Sequence, residues 1–267
     1  MASTLLGLEL AEVASRQAHE VRRALEKKRD RHVAVHEARK AIRRLRGTLD
    51  LGREVFGAKF DVIDRSLDRL ADGLSPLRDA QVVAETASKL ANDHQPYWKK
   101  VSDQLRHRRD LWLDAALSRD PDFSKRRARM SRMTLAITDL PWTDLTKKVV
   151  HDSVLRSLKR LEKAKAAAQV EGSSARLHRW RKRVRRLRLQ LETLNGVEAS
   201  AGWKSLDAVK HKVKSTRSLR RLADKLGWRQ DLQVLRSSIR HIGNPALAKQ
   251  LRRGIDHETA VARQRAA

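Results

Sequence analysis

Cysteine is absent, which excludes a disulfide framework, thiolate metal sites and a cysteine nucleophile, and is compatible with a reducing compartment. Aromatic residues make up only 4% of the chain, too few for the row of stacking platforms that single-strand nucleic-acid binders offer. Glycine and proline are scarce, at 11 and 5 residues, so little interrupts regular structure. No apolar run reaches the roughly eighteen residues of a membrane-spanning helix. The N-terminal stretch MASTLLGLELAEVA has no basic leader and carries Glu9 and Glu12, so it reads as the first helix of a domain and not as an export signal. Acidic residues are few as well: 32 against 60 lysines and arginines.

The resulting net charge of +28 makes the chain repel itself and calls for a densely anionic partner: nucleic acid, polyphosphate or an acidic membrane surface. A membrane-surface role is the weakest of the three, because the apolar sides of the basic helices are needed for a core. With 40% hydrophobic and 34% charged residues, and apolar positions at helical spacing almost throughout, the 267-residue chain predicts an all-α fold with a sizeable core, not a disordered tail.

Two segments repeat. VHEARKAIRRLR (35–46) matches LHRWRKRVRRLR (177–188), pairing His36 with His178, Arg39 with Arg181, Lys40 with Lys182, Arg43 with Arg185, Arg44 with Arg186 and Arg46 with Arg188. RSLDRLADGL (65–74) matches RSLRRLADKL (217–226), with differences only at Asp68/Arg220 and Gly73/Lys225. The second pair is offset further than the first, so the second copy holds about ten extra residues, expected as a loop around Asn195–Trp203. Two matches in the same order indicate a tandem duplication. The first unit spans 1–120, the connector 121–141 and the second unit 142–267. Each unit predicts about four helices: near 4–29, 33–53, 58–91 (broken at Ser75-Pro76) and 97–118, then near 143–170, 174–194, 203–241 (broken near Gly227) and 245–264. The basic connector segment SKRRARMSR (124–132) reads as a short helix or a mobile arm. The six tryptophans are spaced singly and fall mostly on apolar faces, where they read as core.

On a helical wheel, Arg39, Lys40, Arg43, Arg44 and Arg46 all lie within about 80° of His36. Ala38, Ala41, Ile42, Leu45 and Leu49 lie opposite, so one face packs and the other carries cations. The second copy repeats this, with Arg183 at the edge of its packing face. Like charges three and four apart repel by a few tenths of a kcal/mol per pair, so such a face is mildly unfavourable until an anion fills it. Arginine offers phosphate a planar two-pronged donor, lysine a mobile point charge, and histidine a ring N–H strengthened by protonation. A basic helix face is ordinarily a solvated surface; its recurrence, position for position, argues for a ligand. Arg65 and Arg69, with their counterparts Arg217 and Arg221, extend the basic surface or pair with acids such as Asp68 and Asp72. Asp79 and Asp231 are expected to cap a helix or brace an arginine.

The H-x-x-R-K-x-x-R-R-x-R pattern at 36–46 and 178–188, and the L-x-x-x-R/Q-D-x-x-V pattern at 74–82 and 226–234, resemble the CHAD family, the conserved histidine α-helical domain. The resemblance covers nearly the whole chain. It implies two four-helix bundles related by pseudo-twofold symmetry around a central basic pore or groove. It also implies binding of inorganic polyphosphate through the paired residues above, and a cytoplasmic location at polyphosphate granules. Some members carry a fused triphosphate tunnel domain, but the two repeats use all of this chain, so no triphosphatase activity is implied. Non-specific nucleic-acid binding is the alternative, since the net charge suits it equally. No enzyme, metal or cofactor is expected: His36-Glu37 is not a zinc-protease motif because Lys40 stands where the second histidine would be, and neither a P-loop nor a nucleophile elbow occurs.

Overall fold

A computed structural model describes residues 2–92, 96–201, 215–241 and 245–264. Among these there are ten α-helices and no strand: α1 (Ala2–Glu26), α2 (Arg31–Leu51), α3 (Arg53–Gly73), α4 (Ser75–Asn92), α5 (Pro96–Arg119), α6 (Ser124–Thr138), α7 (Lys147–Val170), α8 (Ser174–Ala201), α9 (Thr216–Ser238) and α10 (Pro245–Gln264). No helix is long and apolar enough to cross a membrane.

The helix starts follow local chemistry. The Asp30 side chain accepts from the Val33 N–H at 3.1 Å and starts α2. Thr146 does the same for α7 through Val149 N–H, and Ser215 for α9 through Ser218 N–H. In α3 the axis kinks at Gly57, whose φ of 52° is open to glycine. α1 buries Leu6, Leu10, Ala14, Ala18, Val21 and Leu25 along one stripe. Gly7 lets that helix press against the chain after α6: a Cβ there would lie 1.9 Å from the Trp142 carbonyl oxygen.

Of the two readings of the basic connector segment, the helix holds: α6 buries Met130, Met133 and Ile137 in the main core, flanked by Phe123 and Trp142. Two sequence expectations are corrected. The expected loop at Asn195–Trp203 starts no earlier than residue 202, since α8 runs on through Asn195 and Gly196 to Ala201; the rest of it, with Trp203, lies outside the described residues. Gly227 does not break α9. The tryptophans also divide. Trp98 and Trp142 are buried and Trp180 and Trp228 half-buried, but Trp112 is 46% exposed.

Buried apolar residues form two clusters, and both draw on both sequence repeats. The larger joins α1, α2, α3, α6, α7, α8 and the first half of α9, with Leu77 of α4 and Leu113 of α5. The smaller joins α4 and α5 to the second half of α9 and to α10. α4 and α9 pass from one cluster to the other: Leu77 belongs to the first and Val83 to the second, as do Leu226 and Leu232 on α9. Gly7→Ala is therefore expected to destabilise the protein by about 1–3 kcal/mol, because the opposing atom is backbone. Gly196→Ala, on an exposed helical position with open space around it, is expected to stabilise by up to about 1 kcal/mol. Chemical denaturation of the two variants measures both.

Candidate functional site

Between the two apolar clusters, α2, α4, α8 and α9 bring charged residues together. α2 supplies His36, Arg39, Lys40 and Arg43; α8 supplies His178, Arg181, Lys182, Arg185 and Arg188. The neighbours that act on each charge show the convergence. Arg43 is depressed to about 10, first by burial and then by Arg39, Arg181, Arg78 and Arg188. Arg185 is depressed further, to about 9, by burial, Arg181, Arg43 and Arg188, with Asp231 opposing. Arginines from the two sequence copies thus repel one another across one half-buried space. Both remain cationic in neutral solution.

Positions matched by the repeat do matching work. Arg39 donates to the Ala71 carbonyl and, at 2.7 Å, to Ser75 Oγ, where α3 gives way to α4. Its counterpart Arg181 lies over Gly227, which occupies the position corresponding to Ser75. A Cβ on Gly227 would come within 2.8 Å of the Arg181 guanidinium, so the glycine makes room for a cation instead of ending the helix. Arg181 also approaches Asp231 at 3.8 Å, while Asp79 acts on Arg39. Both aspartates brace arginines, and neither caps a helix. Burial raises the pKa of each more than the surrounding arginines lower it. His178 Nδ1 lies 3.3 Å from Gln230 Oε1.

Arg78 is the residue that the sequence reading passed over. It acts on His36, Arg39, Arg43, Asp79, Arg181 and Asp231. It is largely shielded from solvent, and its only ion pair among the described residues is with Glu85 at 3.2 Å. The signal for it was the R/Q position of the second repeated pattern, occupied by Gln230 in the other copy. Three buried Nε donors of the cluster, those of Arg39, Arg181 and Arg188, have no protein partner.

Other sequence-predicted cations are committed elsewhere. Arg46 turns to α3 and pairs with Asp64, at 2.7 and 2.8 Å, and with Asp68. Those hydrogen bonds raise its pKa despite burial. Arg44 faces Glu20 of α1 at 3.3 Å. Arg186 is half-buried at the α2–α8 crossing, donates to the Arg46 carbonyl and lies 3.9 Å from Asp50. Arg188 acts on the cluster but also holds Glu192 at 2.8 Å. Arg65 and Arg69 on α3, and Arg217 and Arg221 on α9, are exposed and outside the cluster. Of the two acids expected to hold Arg65 or Arg69, Asp68 and Asp72, the first is taken by Arg46. Among the described residues no group of three or more His, Asp or Glu side chains is arranged to hold a metal.

His36 is held below the ordinary imidazole range by burial, Arg78, Arg43 and Lys40 against Glu85. His178 is held down by burial, Lys182, Arg181 and Arg185 against its bond with Gln230. Between those lowered values and about 6.5, the unfolded chain binds more protons than the folded one, so stability rises with pH through that window. Urea denaturation of the unliganded protein at about pH 5 and about pH 7 is expected to show the gain, and His36→Gln/His178→Gln to flatten it.

Comparison with known proteins agrees with this architecture. The chain is similar in structure to PptA from Streptomyces chartreusis, with a TM-score of 0.69 and 19% identity over 98% of this chain and 97% of that one. It is also similar to the crystal structure of the CHAD domain from the plant Ricinus communis, with a TM-score of 0.63 and 18% identity over 97% of this chain and 87% of that one. No curated protein matches it. The family model of the CHAD domain matches residues 10–240, a span that contains both histidine–arginine helices and all four helices of the cluster. The chain belongs to the CHAD domain family.

Proposed function

We propose that the chain is a binding protein, not an enzyme, and that it holds inorganic polyphosphate in the space between α2, α4, α8 and α9. The observation that carries this reading is the placement of Arg43 and Arg185, one from each repeat, in one half-buried cluster with Arg39, Arg78, Arg181 and Arg188, where burial first and neighbouring arginines second lower the pKa of both. Asp79 and Asp231 are too few to neutralise it. A run of phosphates relieves the repulsion, and its oxygens accept from the unpartnered Nε donors. A phosphoanhydride chain has no base edge to read, so cations at the right spacing are sufficient recognition. His36, Lys40, His178 and Lys182 line the same faces and complete the site. Beyond Gln230, a cavity of about 230 Å³ with Arg236 and Arg240 in its lining offers the chain a way onward. The family's association with polyphosphate supports the reading, and granule attachment follows from it as a further proposal. Exposed Arg65, Arg69, Arg217 and Arg221 make a diffuse basic surface on which duplex nucleic acid would bind at low salt.

Titration with long-chain polyphosphate tests the site. Affinity is expected to fall linearly with the logarithm of salt concentration, as counterions are released. Arg43→Glu/Arg185→Glu is expected to reduce affinity by at least about 100-fold, at 1.5–3 kcal/mol for each charged hydrogen bond lost. Arg46→Ala is expected to lower stability by about 1–3 kcal/mol and leave affinity unchanged, since its charge serves Asp64 and Asp68. Binding that is flat in salt, or untouched by the double reversal, places the ligand elsewhere. Tighter binding of duplex DNA or RNA at matched charge favours the nucleic-acid reading. Release of phosphate from polyphosphate with added divalent metal contradicts the non-enzymatic one.

A further inference from the structure

On the face formed by α3, α5 and α6, well separated in function from the phosphate site, lies a groove of about 750 Å³. Its floor is aliphatic, with Leu70, Leu77, Ala115 and Ala116, and its wall carries Leu111 and Trp112. These last two are adjacent, large and apolar, and are 53% and 46% exposed. Lone exposed apolar residues are ordinary, but a contiguous apolar groove with a cationic border marks an interaction surface. None of the arginines of the phosphate cluster lines it.

The border is basic from three directions: Arg69 from α3, Arg119 from the end of α5, and Lys125, Arg126 and Arg129 from α6. Only one carboxylate joins the lining, that of Asp120, and it is already used. It is 5% exposed, accepts from Lys125 N–H at 2.8 Å and pairs with Arg126 at 2.6 Å. Among the described residues, Arg69, Arg119 and Arg129 have no acidic partner. α6 is held in place by Met130, Met133 and Ile137, so these cations are presented on a packed helix.

We propose that this groove docks an acidic amphipathic helix of a partner protein. The floor demands aliphatic side chains and the border demands carboxylates, and only a ligand with both satisfies the surface. Polyphosphate has no apolar group to bury. A single-stranded nucleic acid needs successive stacking faces, and Trp112 is the one aromatic residue in the lining. Leucines at i, i+3, i+4 and i+7 would enter the groove, with Trp112 as the anchor and glutamates reaching the arginines. The chain would then hold a protein and a phosphate polymer at the same time.

The test uses the full chain saturated with long-chain polyphosphate, which removes the phosphate site as a competitor. The probe is a fluorescein-labelled helical peptide of about eighteen residues, with leucines at i, i+3, i+4 and i+7 and glutamates elsewhere; its control has the same composition with the leucines scrambled. By fluorescence anisotropy, the patterned peptide is expected to bind at least about tenfold more tightly than the scrambled one. Trp112→Ala, and separately Arg119→Glu/Arg129→Glu, are each expected to weaken it by about tenfold or more while leaving polyphosphate affinity unchanged. Arg119 and Arg129 are exposed, so the charge variant tests the groove even if the tryptophan variant is unstable. Equal binding of the two peptides overturns the proposal, as does loss of peptide binding on polyphosphate saturation. Displacement of the peptide by an oligothymidylate that itself depends on Trp112 overturns it in favour of nucleic acid.

Discussion

The crossing of α2 over α8 is the constraint on which the rest of the molecule depends. It brings together two helix faces that electrostatics would drive apart, so the faces behind them must supply the closure. Gly47 permits the close approach, with its Cβ position 3.2 Å from the Leu189 Cβ. Around it runs a buried polar seam: Thr48 donates to Gln17 at 2.9 Å and meets Thr193 at 3.2 Å, while Gln190 donates to Asp50 at 3.2 Å. Ser153 of α7 donates to the Asp50 carbonyl at 2.8 Å. These bonds fix the register of the crossing, because a slip would leave several buried polar groups unpaired.

From that register follows the division of labour among the cations. Of the motif arginines, those turned toward the crossing or toward α3 are absorbed by Asp50, Asp64 and the Arg46 carbonyl, and they knit helices together. Those on the far side meet their counterparts with little acid between them. A ligand bound there touches both halves of the chain, so its binding energy also adds to the stability of the fold in proportion to its occupancy.

Much of this was legible in the sequence. The repeat located both histidine–arginine helices and named Arg39, Arg43, Arg181 and Arg185, because helical periodicity alone places them opposite the packing face. Arg46 and Arg186 were read as ligand contacts for the same reason, yet their wheel positions say nothing of Asp64 or Asp50, which arrive from other helices. Arg78 was hidden because its counterpart is Gln230, so the repeat did not mark it as a cation. Gly227 was misread as a break because glycine's helix penalty of about 1 kcal/mol is a local quantity. The room it makes for Arg181 is a tertiary one. The exposure of Trp112 escaped for the same reason: a singly spaced tryptophan looks alike on a buried stripe and on a groove wall.

The two apolar clusters, each assembled from both sequence copies, bear on how the protein comes to exist. During synthesis α1 and α2 can pair with each other as they leave the ribosome, but α7 and α8, which cover the rest of α2, follow only after the whole of the first copy and α6 have been made. α4 and α5 wait in the same way for α9 and α10. The emerging first half is therefore an unfinished surface that favours the compact state only when its second half arrives. A chain that stops near residue 130 lacks the α7–α10 side of both clusters, so its apolar faces stay open to whatever else can cover them.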